Sequence, residues 1–81
     1  MTVRVLFLGP ARDWSGTPEA SADLEPHSDV RALRKWLARE FPELQDRLSR
    51  IRIAVNQSFA QDEDRLDSGD EVALIPPVSG G

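Results

Sequence analysis

The sequence predicts an α+β domain in which one main helix packs on one face of a mixed sheet of about five strands. Two segments near the ends of the chain, VRVLFLG (3–9) and EVALI (71–75), have the residue types and short length of buried strands. Between them lies one segment with clear helical periodicity, residues 28–41. The length of 81 residues allows a single domain, which we predict to span 1–81.

The first strand is predicted to pair with a weaker second strand in a hairpin. Successive side chains of a strand point to opposite faces. Segment 3–9 therefore has two faces, Val3, Val5 and Phe7 on one and Arg4, Leu6 and Leu8 on the other. After a turn marked by Ser15 and Gly16, residues 18–26 (PEASADLEP) alternate between small apolar and polar side chains.

The predicted helix begins at Ser28 and ends before Pro42. Ser28 is a favourable N-cap, and Asp29 lies where the helix dipole favours a carboxylate. Pro42 ends the helix because the residue before a proline avoids the helical conformation. The apolar residues of this segment share one stripe at helical spacing: Val30, Leu33, Leu37 and Phe41.

The remaining segments predict three more strands. Ile51–Asn56 is a strand with Ile51, Ile53 and Val55 inward, and a short strand follows near Phe59. A turn at 67–70 precedes the last strand, with Val72 and Leu74 inward. We expect the first and last strands, the most hydrophobic ones, to be central neighbours. A mixed sheet of this order with one covering helix is the ubiquitin-like β-grasp.

Composition excludes several classes of protein. The chain has no cysteine, which rules out disulfides, iron–sulfur clusters and a cysteine nucleophile. The net charge of −4 disfavours a nucleic-acid surface and favours a basic protein partner. Since no segment resembles a secretion signal or a membrane span, we expect a cytoplasmic protein that binds neither membrane nor nucleic acid.

Side chains offer little for catalysis. The single histidine, His27, precedes the helix and has no second histidine or cysteine near it in the sequence. The acidic run 62–64 lacks the alternating ligands and the glycine of a calcium loop, so we predict a solvated loop and no metal site. Trp36 is predicted to flank the core, and Trp14 in its loop does not make a site alone.

The outer face of the sheet, away from the helix, is predicted to bind a partner. One helix covers one face only, and the opposite face receives Leu6, Leu8, Ala73 and Ile75, with Phe59 at its edge. Contiguous apolar residues on adjacent strands are typical of an interaction surface.

The last six residues, 76–81, are predicted to form a flexible tail whose end is the functional group. Pro76 and Pro77 have no N–H donors and end strand pairing. The residues that follow, Val78, Ser79, Gly80 and Gly81, are small. A backbone this thin fits a narrow channel, and the carboxylate of Gly81, once adenylated by ATP, becomes a reactive acyl group.

The chain resembles the small, ubiquitin-like sulfur-carrier subunits of molybdopterin synthase. The similarity extends over the whole chain and is densest in VRVLFLGPARDWSG (3–16), IAVNQ (53–57) and LDSGDEVALIPPVSGG (66–81). The most specific part of this similarity is the glycine–aspartate turn, the strand that follows it and the ending PPVSGG.

This resemblance implies a function without a resident cofactor. A ubiquitin-activating-type adenylyltransferase would use ATP to adenylate Gly81, and persulfide sulfur would convert it to a thiocarboxylate. The tail would enter the large catalytic subunit, within an expected heterotetramer, and two successive carriers would supply the dithiolene sulfurs on cyclic pyranopterin monophosphate. By the same resemblance Leu8, Phe59 and Ile75 lie on the face that both partners share, and Arg12 is a contact residue.

Three alternatives stay open, the last of which is a simple interaction domain with an incidental tail that would tolerate the loss of Gly81. A related carrier for thiamine or another sulfur pathway would also end in Gly80–Gly81 on a β-grasp domain. A protein modifier would instead be joined through Gly81 to a lysine amine. The thiocarboxylate and the branched peptide differ in mass, so mass spectrometry separates the carriers from the modifier.

Overall fold

The computed structural model describes residues 1–77 and contains five strands and two α-helices. Two short 3-10 helices, Pro42–Leu44 and Leu48–Arg50, follow the second α-helix. The α-helices are α1 (Pro10–Ser15) and α2 (Val30–Glu40). The strands are β1 (Thr2–Phe7), β2 (Glu19–Asp23), β3 (Arg52–Val55), β4 (Ser58–Phe59) and β5 (Glu71–Ile75).

The sheet has the strand order β2-β1-β5-β3-β4. β1 and β5 are parallel neighbours in its interior, as predicted, with Val5 opposite Val72 and Phe7 opposite Leu74. The other three pairs of strands are antiparallel. Because β1 and β5 are parallel, the C-terminal ends of both strands lie at the same end of the sheet.

α2 packs its predicted stripe against the inner face of the sheet. Val30, Leu33 and Leu37 are buried. Pro42 follows the helix, whose C-cap is the partly buried Phe41. The prediction that Ser28 caps the N-terminus is wrong. The cap is Asp29, whose extended backbone lets its carboxylate accept a hydrogen bond from the Ala32 N–H at 2.9 Å.

The buried side chains of residues 1–77, apart from that of Ala54, form one cluster between α2 and the sheet. Of the inward positions predicted on β3, Ile51 and Ile53 are buried, but Val55 is only partly buried because it ends the strand beside the two-residue β4. Trp36 flanks this core, as predicted, with its ring 6.0 Å from that of Phe41. Among the helices of the described chain, none has the length and apolar character that crossing a bilayer requires.

The segment after β1 forms the helix α1, where the sequence predicted only a turn. Pro10 begins it, and Gly16 ends it in the left-handed conformation with φ 80°. Proline at the start and glycine after the end are the standard pattern of helix termini. Ala11 is its one buried residue, so this short helix has almost no apolar stripe by which to recognise it.

The first testable prediction concerns Leu37, which is fully buried. Leu37→Ala should lower the free energy of unfolding by roughly 2–5 kcal/mol, because a buried cavity replaces the lost side chain. Urea denaturation monitored by circular dichroism measures it. Lys35→Ala, an exposed change on the same helix, is the control and should stay within about 0.5 kcal/mol. A loss for Leu37→Ala no larger than the control's would contradict the assigned core.

Candidate functional site

An apolar row crosses the outer face of the sheet. In the strand register, Leu6 lies opposite Ala73, Ala73 opposite Ala54, and Ala54 opposite Phe59. Residues directly opposite each other on neighbouring strands point to the same face. This row therefore extends over β1, β5, β3 and β4 without a polar side chain. Phe59 at its end is 55% exposed.

A second pair of apolar residues lies next to this row, at the end where β1 and β5 finish. Leu8 follows β1, donates its N–H to the Leu74 carbonyl at 3.4 Å and is 44% exposed. Ile75, the last residue of β5, is partly exposed. We call Leu6, Leu8, Phe59, Ala73 and Ile75 the apolar patch. It contains the three predicted contact residues Leu8, Phe59 and Ile75, which are far apart in the sequence.

The opposite end of the outer face is charged. Arg4 lies opposite Glu71, and its guanidinium pairs with Glu19 at 2.7 Å and with Glu71 at 3.8 Å. The hydrogen bond and the charge of Glu19 raise the pKa of Arg4 above its ordinary value. The charges of these three side chains are therefore paired with one another. The apolar patch is therefore confined to the half of the face where β1 and β5 end.

The predicted tail starts at the same end. Pro76 directly follows Ile75 and is partly buried, and Pro77 is exposed. A Cβ on Gly9 would lie 3.7 Å from the Cγ of Pro76, so the start of the tail runs beside the β1–α1 connection. The other predicted tail residues, Val78, Ser79, Gly80 and Gly81, lie outside the described residues.

Gly9 sets the direction in which the chain leaves β1. Its φ of 51° and ψ of −133° lie in a region that residues with a side chain avoid. The turn it makes lets the Ala11 N–H donate to the Leu8 carbonyl at 3.0 Å and opens α1. Glycine at this position therefore places α1 next to the apolar patch.

Arg12, predicted as a contact residue, lies on α1 and is exposed. Its side chain makes no hydrogen bond or ion pair with any residue in the described part of the chain, 1–77. Because α1 starts two residues after Leu8, the Arg12 guanidinium belongs to the same end of the molecule as the patch. A partner covering this end is therefore within reach of Arg12.

The other aromatic residue in this region, Trp14, is a structural residue. Its ring is partly buried against the core, and the guanidinium carbon of Arg47 lies 4.5 Å from the ring centroid. This cation–π contact joins α1 to the segment between the two 3-10 helices. Trp14 thus anchors the helix that displays Arg12.

Of the polar candidates elsewhere, the acidic run has a structural role. His27 is exposed with φ 69° in the loop before α2. In the acidic run, the carbonyls of Asp62 and Asp64 accept hydrogen bonds from the first N–H groups of α2, and the Asp62 carboxylate pairs with Arg34 at 2.9 Å. Within residues 1–77, no three histidine, aspartate or glutamate side chains are grouped closely enough to hold a metal ion.

Comparison with protein families gives one match over nearly the whole chain. The model of the ThiS family matches residues 5–81. The molybdopterin synthase sulfur carrier subunit of Mycobacterium tuberculosis is 39% identical over 80 residues, which cover 98% of this chain and 96% of that protein. The subunit of the same name from Escherichia coli K12 is 36% identical over 85 residues, covering 98% and 99%.

Solved structures share the fold. SAMP1 from Haloferax volcanii superimposes with a TM-score of 0.92 at 24% identity, over 100% of both chains. Ubiquitin from Caldiarchaeum subterraneum gives a TM-score of 0.67 at 17% identity, covering 100% of this chain and 98% of that one. A complex of subunits 1 and 2 of molybdopterin-converting factor from Helicobacter pylori contains a chain with a TM-score of 0.73 and 29% identity, over 100% of both chains. The predicted ubiquitin-like β-grasp is confirmed.

Proposed function

Because this chain belongs to the ThiS family, we propose that it stores sulfur as a thiocarboxylate on Gly81 and delivers it to the large subunit of a molybdopterin synthase. The full-length similarity to sulfur carrier subunits of that enzyme supports the choice of pathway. The chain is a non-catalytic carrier subunit, as its relatives are. The catalytic side chains belong to the large subunit.

One observation of this chain supports the proposal most directly. The apolar patch and the first residues of the tail lie at the same end of the sheet, because β1 and β5 are parallel and both finish there. Six residues, 76–81, span at most about 22 Å when extended. A partner that covers Leu8 and Ile75 is therefore in position to take up the tail in its own active site.

The chemistry at Gly81 proceeds in three steps. The carboxylate attacks the α-phosphate of ATP, bound by a ubiquitin-activating-type adenylyltransferase, and pyrophosphate leaves. A persulfide then attacks the acyl carbon and displaces AMP. A thiol cleaves the resulting sulfur–sulfur bond, which leaves the thiocarboxylate on the carrier and a disulfide on the donor. Because ATP is consumed, the proposal places the carrier in the cytoplasm.

The proposed role of the large subunit follows from the reactivity of the thiocarboxylate. Its sulfur is a nucleophile, and transfer to cyclic pyranopterin monophosphate followed by hydrolysis regenerates the Gly81 carboxylate. One carrier delivers one sulfur, so a dithiolene requires two charged carriers in succession. The chain must therefore bind reversibly, which suits a patch of moderate size better than a permanent interface.

The test is the intact mass of the chain purified from cells that make the cofactor. We expect a species heavier than the unmodified chain by the difference between sulfur and oxygen, and its loss when the large subunit and pterin substrate are added. Chains joined through Gly81 to lysine, seen as branched peptides, would instead identify a protein modifier. A thiocarboxylate that the large subunit does not discharge would identify a carrier for another sulfur pathway.

A further inference from the structure

Arg52 makes a contact on the outer face that its position in the sequence does not predict. It lies opposite Ile75 in the β3–β5 register, next to the apolar patch. Its guanidinium carbon is 3.7 Å from the centroid of the Phe59 ring, across the hairpin from β3 to β4. Both side chains are exposed.

This stacking orients the guanidinium. A planar cation over a ring face is attracted by the ring quadrupole, and arginine makes this contact better than lysine because its charged group is flat. The N–H donors of a stacked guanidinium lie at its edges and stay available for a carboxylate. The exposed ring of Phe59 is held in turn by the cation above it.

The charge around Arg52 differs from that around the other arginine on this face. Arg4 is paired with Glu19 and Glu71, whereas the Arg52 side chain forms no ion pair within residues 1–77. Arg12, at the same end of the molecule, is likewise unpaired in that range. The chain is acidic overall, with a net charge of −4, yet Arg52 is an exposed cation beside the apolar patch.

We propose that Arg52, stacked on Phe59, binds a carboxylate of the large subunit when that subunit covers the apolar patch. This inference rests on the proposed function and names the kind of surface the partner presents: an apolar centre with an acidic group at its rim. Water is excluded when the patch is covered, which strengthens the cation–π contact and the ion pair beside it. A complementary acidic group also steers association.

A protein carboxylate suits this place better than a free anion. The groove beside Arg52 also holds Arg34, Arg50 and the carboxylates of Asp62 and Glu63, and Glu63 is paired with Arg31 at 3.8 Å. The guanidinium of Arg34 in that groove is already paired with Asp62 and hydrogen-bonded to the Leu48 carbonyl. Arg52 is available on the outer-face side, where the apolar patch provides contact area for a protein.

The experiment compares Arg52→Met and Arg52→Lys with the parent chain. Methionine keeps an apolar stem without the charge, and lysine keeps the charge without the planar stack. The matched control is Arg39→Met, which removes one exposed positive charge from α2, on the helix side of the sheet. Association rate and affinity for the large subunit are measured at low and high salt.

We expect Arg52→Met to weaken binding by about 5- to 10-fold at low salt, with a slower association rate and a flatter salt dependence. Arg52→Lys should lose less, and Arg39→Met should stay within about twofold. A double-mutant cycle that combines Arg52→Met with Phe59→Leu tests the stacking contact itself, since the effects of two residues in contact are not additive.

Three results would overturn the inference while leaving the proposed function intact. They are parent-like affinity and salt dependence for Arg52→Met, an equal loss for Arg39→Met, and additive effects of Arg52→Met and Phe59→Leu. A parent chain that carries a thiocarboxylate but does not bind the large subunit at all would instead remove the proposed function, and this inference with it.

Discussion

Deleting Gly81 should abolish thiocarboxylate formation even though the shortened chain still ends in a glycine carboxylate. The deletion shortens the reach of the tail by up to about 3.6 Å. A carboxylate and the phosphate it attacks must approach to roughly 3–3.5 Å, so a shift of that size prevents the reaction. The point from which the tail starts is set by Pro76, which lies beside the β1–α1 connection. The measurement is the thiocarboxylate yield with the activating enzyme and ATP.

Gly80→Ala is the matched control for this deletion. It keeps the length of the tail and adds one methyl group, so it should slow sulfur transfer by less than the deletion does. Both changes leave the residues of the buried cluster as they are, and the free energy of unfolding should stay within about 0.5 kcal/mol of the parent value for both. Undiminished sulfur loading of the chain that ends at Gly80 would contradict the assignment of Gly81 as the reactive residue.

The faces of the central strands could be predicted from the sequence because strand geometry is local. Alternation placed Val5 and Val72 inward, and the register pairs these two residues on the helix side. Leu6 and Ala73 pair in the same way on the outer face. Burial of one face makes such patterns reliable, because a slip of one residue would expose the whole core.

Features that depend on distant contacts were less predictable. Ser28 and Asp29 are both favourable N-cap residues. Asp29 becomes the cap because a backbone β-bridge to Arg65 holds it in the extended conformation. The Ser28 hydroxyl instead donates to the Glu25 carbonyl at 2.7 Å. The helix α1 was not predicted, because six residues with one buried side chain show no helical periodicity.

The predicted members of the candidate site could be selected from the sequence, but their arrangement in space could not. Strand alternation selected Leu8 and Ile75, with Phe59 at the edge of the same face, and the resemblance added Arg12. Arg52 was not a candidate, because its stacking on Phe59 depends on the turn between β3 and β4, where Asn56 and Gln57 both take positive φ. Non-glycine residues rarely adopt this conformation, and the sequence alone gives little warning of it.

Leu8→Asp should leave the domain folded and weaken binding to the large subunit at least about 30-fold, the loss typical of a residue at an interface centre. Leu8 lies outside β1 and is 44% exposed, so a carboxylate there remains hydrated in the free chain. When a partner covers the patch, the charge loses its water without gaining a cation in an apolar contact. Ile75→Asp should act in the same direction, with some loss of stability because Ile75 is partly buried within β5.

The control for both is Ser21→Asp, which adds the same charge on β2 opposite Arg4, at the charged end of the outer face. It should bind as the parent does, since it lies away from the apolar patch. Dissociation constants from calorimetry and a melting curve for each variant separate binding from folding. If Leu8→Asp and Ile75→Asp unfold the chain while the folded fraction binds with parent affinity, the two residues belong to the core. If the folded variants bind with the parent affinity, the large subunit binds another surface of the chain. The tail would then have to reach the active site of the large subunit from a face that this subunit does not cover.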